Sequence, residues 1–256
     1  MNASNYTSVA TGVLRAGLFC LFFPFTSSFA QVDVPLPTYE IHSVNDSITV
    51  DGLLTEPAWQ QTPVIDAFSY PWFKDGQKER TEVRMLWDPS YLYVFFKSHD
   101  AFISSHLTQR DDPVSRDDCV EVFIAPDTSR IENYFNFEFN AITTILDRSP
   151  LMDRSSQWNA DGIRAASHIA GTLNDSSDVD DYWTMEIAIP LSTFEPFAPD
   201  IPPQQGQQWR LNLYRTGGDI NLQYATWSNT LRPKPQFHAP DRFGIVTFST
   251  TPITQH

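Results

Sequence analysis

The sequence predicts an all-β fold: a two-sheet antiparallel β-sandwich of jelly-roll or immunoglobulin-like type, with little helix. Three observations carry that expectation. Short runs of alternating apolar and polar residues recur along the chain between Pro, Gly, Asp and Asn turns, and no segment sustains a 3.6-residue apolar period. The clearest run, NYFNFEFN over residues 133–140, alternates without a break. Successive side chains of a strand point to opposite faces, so Phe135, Phe137 and Phe139 fall on one side and Tyr134, Asn136, Glu138 and Asn140 on the other. The phenyl side is core; the amides, carboxylate and phenol either meet a polar ligand or face water from a one-sided sheet.

Taken in order, residues 1–30 read as a secretory signal peptide. Arg15 precedes an apolar run over 16–25, and Ser28-Phe29-Ala30 supplies a cleavage site. That run is too short to span a bilayer, so no stable membrane insertion is expected and the mature chain is placed outside the cell or in a periplasm. Cys20 leaves with the leader, so Cys119 has no disulfide partner and too few companions for a cysteine zinc site. Residues 31–256 are long enough for a single domain stabilised by its own core. Acidic residues outnumber basic ones 31 to 17, for a net charge of −14. With no Lys/Arg cluster, this balance argues against nucleic acid and anionic membranes as partners.

Pro35 and Pro37 make residues 32–39 an extended tether. Ile48 and Val50 make a short strand that ends in an Asp51-Gly52 turn, and Pro57 opens a brief helical turn whose Trp59 is expected to plug one end of the core. Residues 81–87 and 91–98 flank Asp88-Pro89-Ser90 and form a hairpin, with Val83, Met85 and Trp87 facing inward and Arg84 outward. A strand over 117–125 puts Val120, Val122 and Ile124 on one side, Cys119, Glu121 and Phe123 on the other. After the 133–140 stretch, residues 141–146 either continue it or form its partner, and Trp158 sits in a polar loop, presented to ligand or anchored on the sheet edge. Strands over 163–170 and 182–190 bracket an acidic turn. Gly217-Gly218-Asp219 joins strands over 208–216 and 220–227, and a Pro-bounded loop leads to a closing strand over 243–248.

The ordered set VDGLLTEPAWQQ, VRMLWDPSYLYVFFKSHD, DDCVEVFIAP, NFEFNA, YWTMEIAIPLSTF, ATWSN and FHAPDRFGIVTF resembles the family 9 carbohydrate-binding modules over most of the mature chain. The resemblance implies a β-sandwich that binds sugars without catalysis, in the capture and catabolism of polysaccharides or oligosaccharides, beside glycan-degrading enzymes. It also implies a sugar held between two tryptophans with polar side chains around it. Here Ser115 stands at the first aromatic position and Phe237 at the second, while Glu121 matches the family's carboxylate. Tyr134, Trp158 and Trp227 are the aromatics available for the missing wall.

Sugar rings offer an apolar face to aromatics and a belt of hydroxyls to groups that donate and accept. The candidate ligand-binding residues are therefore Arg84, Glu121, Glu138, Asn140, Trp158, Trp227, Phe237 and His238. Glu121 and Glu138 admit a second reading, as acid and base of a glycoside hydrolase. Haem held through Met85 is a third, with no paired ligand evident. No cofactor is required by any motif; Asp111, Asp112, Asp117 and Asp118 form an acidic run that reads as a solvated loop or as a structural calcium site.

Overall fold

The computed structural model describes residues 34–253 except 156 and 219, together with the isolated residues 1 and 7. The leader and its cleavage site lie outside the described residues. From Pro35 onward the chain forms one compact unit. Its strands are β1 (Thr38–Ser43), β2 (Thr81–Trp87), β3 (Tyr91–His99), β4 (Cys119–Ala125), β5 (Phe135–Asn140), β6 (Ile145–Arg148), β7 (Arg164–Ala170), β8 (Tyr182–Pro190), β9 (Gln208–Thr216), β10 (Tyr224–Thr226) and β11 (Gly244–Pro252). One short helix, α1 (Pro57–Gln61), starts at Pro57, whose missing N–H costs nothing in a first helical turn.

The two separate sheets expected from the sequence are replaced by one hydrogen-bonded path, β6-β5-β4-β9-β11-β1-β2-β3-β8-β7, with β10 added on β9. Nor is it wholly antiparallel: β1 runs parallel to both β11 and β2. The extended tether expected over 32–39 runs into this strand at Thr38, and no hairpin turn adjoins it. Its pairing with β11 begins at Ile245, so nothing local announces it. By inserting there, β1 joins the half of the sheet built from β4, β5, β6 and β9 to the half built from β2, β3, β7 and β8.

Alternation decides what goes inside. Phe135, Phe137 and Phe139 of β5, Val120, Val122 and Ile124 of β4, Val83 and Met85 of β2, and Trp183 and Ile187 of β8 share one buried cluster. Strands from both halves of the path feed that cluster, so the sheet must curl around it. Each such side chain contributes about 1.5–3 kcal/mol by leaving water. The expected hairpin forms, with Val83 opposite Phe96, Met85 opposite Val94 and Trp87 opposite Leu92. Met85 is fully enclosed by this core and offers no open axial position to a haem iron.

The outward faces of the two halves are covered differently. Over β2, β3 and β8, Trp59 joins Leu86, Tyr93, Phe95 and Ala188 in a second buried cluster, so it lies on the outer face and does not plug the end of the main core. The expected strand at 48–50 does not form. Instead this segment turns at Gly52, whose φ of +81° and close approach to Ser167 leave no room for a Cβ. Over β4, β5 and β9, Phe123, Tyr134, Tyr214 and Phe243 make a third cluster, and beside it the surface is hollow.

Candidate functional site

The antiparallel register of β4 and β5 sets Glu121 directly opposite Glu138, and β9 sets Tyr214 opposite Glu121 on the other side. Directly opposed residues have Cβ atoms about 4.5–5.5 Å apart. The two carboxylates therefore stand side by side, on the floor of a cavity of about 320 Å³. Arg148 of β6 and Thr216 of β9 flank them, Ser115 and Tyr224 contribute to the walls, and the loop carrying Phe237 and His238 closes one side.

Glu138 Oε1 accepts from Asn136 Nδ2 at 2.9 Å and from Arg148 Nη1 at 3.4 Å. Glu121 Oε1 accepts from Thr216 Oγ1 at 3.5 Å. Burial first, and then the neighbouring Glu138 charge, push Glu121 well above the usual carboxylate range. Burial likewise pushes Glu138 up to about 7, against the opposing pull of Arg148. Two like charges this close cannot both ionise cheaply, so the pair retains a proton near neutrality. The floor thus offers a hydroxyl-type donor beside carboxylate acceptors, and Arg148 adds a fixed donor.

The aromatic side is built on Tyr214. Its ring stacks on Phe237 with centroids 4.2 Å apart and 15° between planes, and its hydroxyl donates to the Phe237 carbonyl at 2.7 Å. One face of Phe237 is thereby taken. The rest of the ring is framed by Tyr224, 6.0 Å away, and by Trp72, 6.1 Å away. His238 Nδ1 and the Tyr134 hydroxyl are 2.8 Å apart, and the imidazole lies 5.0 Å from Phe123. Desolvation, aided by Arg154 and Arg148, lowers the His238 pKa to about 4, so the ring is neutral at pH 7. Nδ1 is engaged by Tyr134, and the tautomer sets which of the two donates.

Four of the eight residues singled out from sequence converge here: Glu121, Glu138, Phe237 and His238. The other four do not. Arg84 faces outward as expected, but from β2 in the other half of the sheet, where its nearest carboxylate is Glu82 at 3.8 Å. Asn140 shares a face with Glu138 yet is fully employed: Nδ2 donates to the Leu107 carbonyl and Asp117 Oδ2, each at 2.8 Å, and Oδ1 accepts from the Thr144 amide. Trp158 packs on the core side of the sheet, 5.6 Å from Phe135 and 6.4 Å from Phe137. Trp227 belongs to the main core, pressed so closely on Gly244 that a Cβ there would lie 2.6 Å from the indole.

Sequence reasoning missed Arg148, Thr216 and Tyr224. Arg148 follows the 133–140 stretch as part of its antiparallel partner, and Thr216 and Tyr224 flank the glycine hairpin. Those adjacencies were the available signal. The acidic run serves the loops. Asp117 Oδ2 accepts from the His106 and Leu107 amides, and Asp118 from the Ser104 and Gly218 amides. Capping of this kind turns the Asp117 and Asp118 carboxylates onto backbone N–H groups. Among the described residues no three His, Cys, Asp or Glu side chains are grouped to hold a metal, and no helix is long and apolar enough to cross a membrane.

Residues 58–248, from the short helix to the last strand, match the profile of carbohydrate-binding family 9. The chain belongs to that family. Solved structures share the fold of this family 9 chain. A carbohydrate-binding candidate from Bacteroides uniformis ATCC 8492 superposes with a TM-score of 0.67 at 18% identity, over 84% of this chain and 100% of that one. A family 9 module from Caldicellulosiruptor kristjanssonii in complex with cellotriose gives 0.58 at 14% identity, over 83% and 94% of the two chains. The same module with glucose gives 0.58 at 14%, over 85% and 100%. No curated protein sequence matches the chain significantly.

Proposed function

We propose that this family 9 chain binds a neutral carbohydrate without transforming it, in the cavity floored by Glu121 and Glu138. The observation that carries the reading is the convergence of the Glu121 and Glu138 carboxylates, Arg148 and the Phe237 aromatic wall in one cavity. Hydroxyls of a sugar both donate and accept, and the floor answers both needs. The family 9 module that shares this fold has been solved with cellotriose and with glucose, which points to the same ligand class. The wider setting belongs to the same proposal: export beyond the inner membrane after cleavage near Ala30, and a part in polysaccharide or oligosaccharide capture and catabolism beside glycan-degrading enzymes.

The hydrolase reading asks two carboxyl groups to flank a scissile bond. Glu121 and Glu138 are ladder partners on one floor, on the same side of any ring above them. That arrangement favours holding a sugar over cleaving one.

A glycan screen followed by titration calorimetry of the mature protein tests the site. Binding should weaken at least about tenfold in both Glu138→Ala and Phe237→Ala. Affinity untouched by either substitution would discard the cavity as the site. Incubation with oligosaccharides should produce no new reducing ends; their accumulation would restore the hydrolase.

A further inference from the structure

Asn136 is fully buried on the face of β5 that carries Glu138, and Arg154 bonds its amide. Both residues stand outside the lining of the Glu138 cavity. Arg154 follows Asp153 in a turn where both are left-handed, with φ of +61° and +50°, a conformation that residues other than glycine keep only under constraint. From this turn the guanidinium reaches back to β5 and the residue before it. Nη1 donates to the Tyr134 carbonyl at 2.7 Å, Nη2 donates to Asn136 Oδ1, and the group lies over the Tyr134 ring, 3.8 Å from its centroid. A guanidinium has donors only, so the amide oxygen of Asn136 must face it, and Nδ2 is turned onto Glu138 Oε1 at 2.9 Å. Arg148 Nη1 reaches the same oxygen at 3.4 Å. Both donors thus meet Oε1, and Oε2 is the oxygen left to a ligand. Burial raises Glu138, and Arg148, the Asn136 bond and the Arg154 charge pull against it.

We propose that Arg154 is a positioning residue of the candidate site: it fixes the Asn136 amide, and through it the Glu138 carboxyl, so that Oε1 is held and Oε2 is presented to the ligand. The proposal rests on the sugar-binding reading of the cavity. The second contact of Arg154 works in the same direction. Tyr134, covered by the guanidinium, meets His238 Nδ1 at 2.8 Å, and His238 is part of the cavity wall. One side chain outside the cavity therefore braces a group of its floor and a group of its wall.

Carbon-13 NMR titration of the full chain, labelled at the glutamate carboxyls, tests the relay without a ligand, with the Glu138 resonance assigned by its loss in Glu138→Gln. In Arg154→Met, which keeps an apolar stem and removes the donors, the proton affinity of Glu138 should rise about tenfold, because Asn136 no longer aims its N–H at the carboxylate. Arg154→Lys, still a donor to Oδ1, should keep most of the wild-type titration. In an Asn136→Ala background, Arg154→Met should move Glu138 little. A titration unmoved by Arg154→Met would overturn the relay, and so would one moved as far without Asn136 as with it, since the charge would then act through space. Calorimetry with cellotriose adds the ligand: affinity should fall about tenfold in Arg154→Met and be largely kept in Arg154→Lys. Unchanged cellotriose affinity beside a shifted titration would equally overturn the proposal. Wild-type protein that gives the expected titrations yet binds no glycan would remove the sugar reading of the cavity and leave the relay standing.

Discussion

Glu138 and Glu186 occupy equivalent positions in the two halves of one curled sheet: each is an outward-facing glutamate in a strand whose other face feeds the core. Their surroundings differ. Residues 44–61 cover Glu186, whose Oε2 accepts from the Asp51 and Gly52 amides, both at 2.9 Å, and whose Oε1 accepts from Trp59 Nε1 at 3.0 Å. No lid closes over Glu138, which meets Asn136, Arg148 and an open cavity. The first is a structural tie, saturated with donors; the second retains capacity for a ligand. Alternation cannot tell them apart, and only the cover does.

The comparison can be broken at several points. The largest effect is expected for Trp227→Ala, about 3–5 kcal/mol of lost stability in denaturant unfolding, because that indole is core beside Gly244 and not a sugar platform. Glu186→Gln comes next. An amide N–H would face donors on every side, so about 2–3 kcal/mol should be lost at pH 8 while sugar affinity stays within about twofold. Glu138→Gln should do the reverse, with stability held or raised at pH 8 and affinity down about tenfold, or ~1.4 kcal/mol.

In pH dependence the two glutamates run together, since burial raises Glu186 to about 7 as well. Glu138 is raised from 4.5 to about 7, so between those values the folded chain binds more protons than the unfolded one. Stability from this source is present below about 4.5 and is lost as pH rises through about 7. Glu121 acts in the same sense. His238, lowered from 6.5 to about 4, acts oppositely on acidification, but as one group against the three raised carboxyls of Glu121, Glu138 and Glu186. The melting temperature should therefore be higher at pH 5.5 than at pH 8, and Glu138→Gln should reduce the difference while Glu121 and Glu186 keep part of it. The smallest effect is reserved for Arg84→Ala, which should leave sugar affinity within about twofold, since that side chain stands on the other half of the sheet.

Much of the strand layout was legible because period-two alternation and turn residues are local. The Val83–Phe96 hairpin register, the inward phenyls of β5 and the outward Glu121 all follow from it. β1 was not legible, since a parallel strand needs no turn beside it and its partner lies at the far end of the chain. At the candidate site, Glu121 and Glu138 were legible because they alternate with core residues, while Arg148 and Tyr224 were not, because strands of four and three residues are too short to show a period. Asn140 was misjudged because a side chain on the right face can be consumed by a loop that folds over the end of its strand.

By itself the sequence determined the face on which each strand residue lies, because side-chain direction is set by the backbone one residue at a time. The tertiary structure decided which outward residues meet. Pairing in register brought Glu121 against Glu138, insertion of β1 put Arg84 on the opposite half, and the 44–61 segment buried one glutamate while leaving the other over a cavity. These are contacts between residues far apart in the chain, and no local period encodes them.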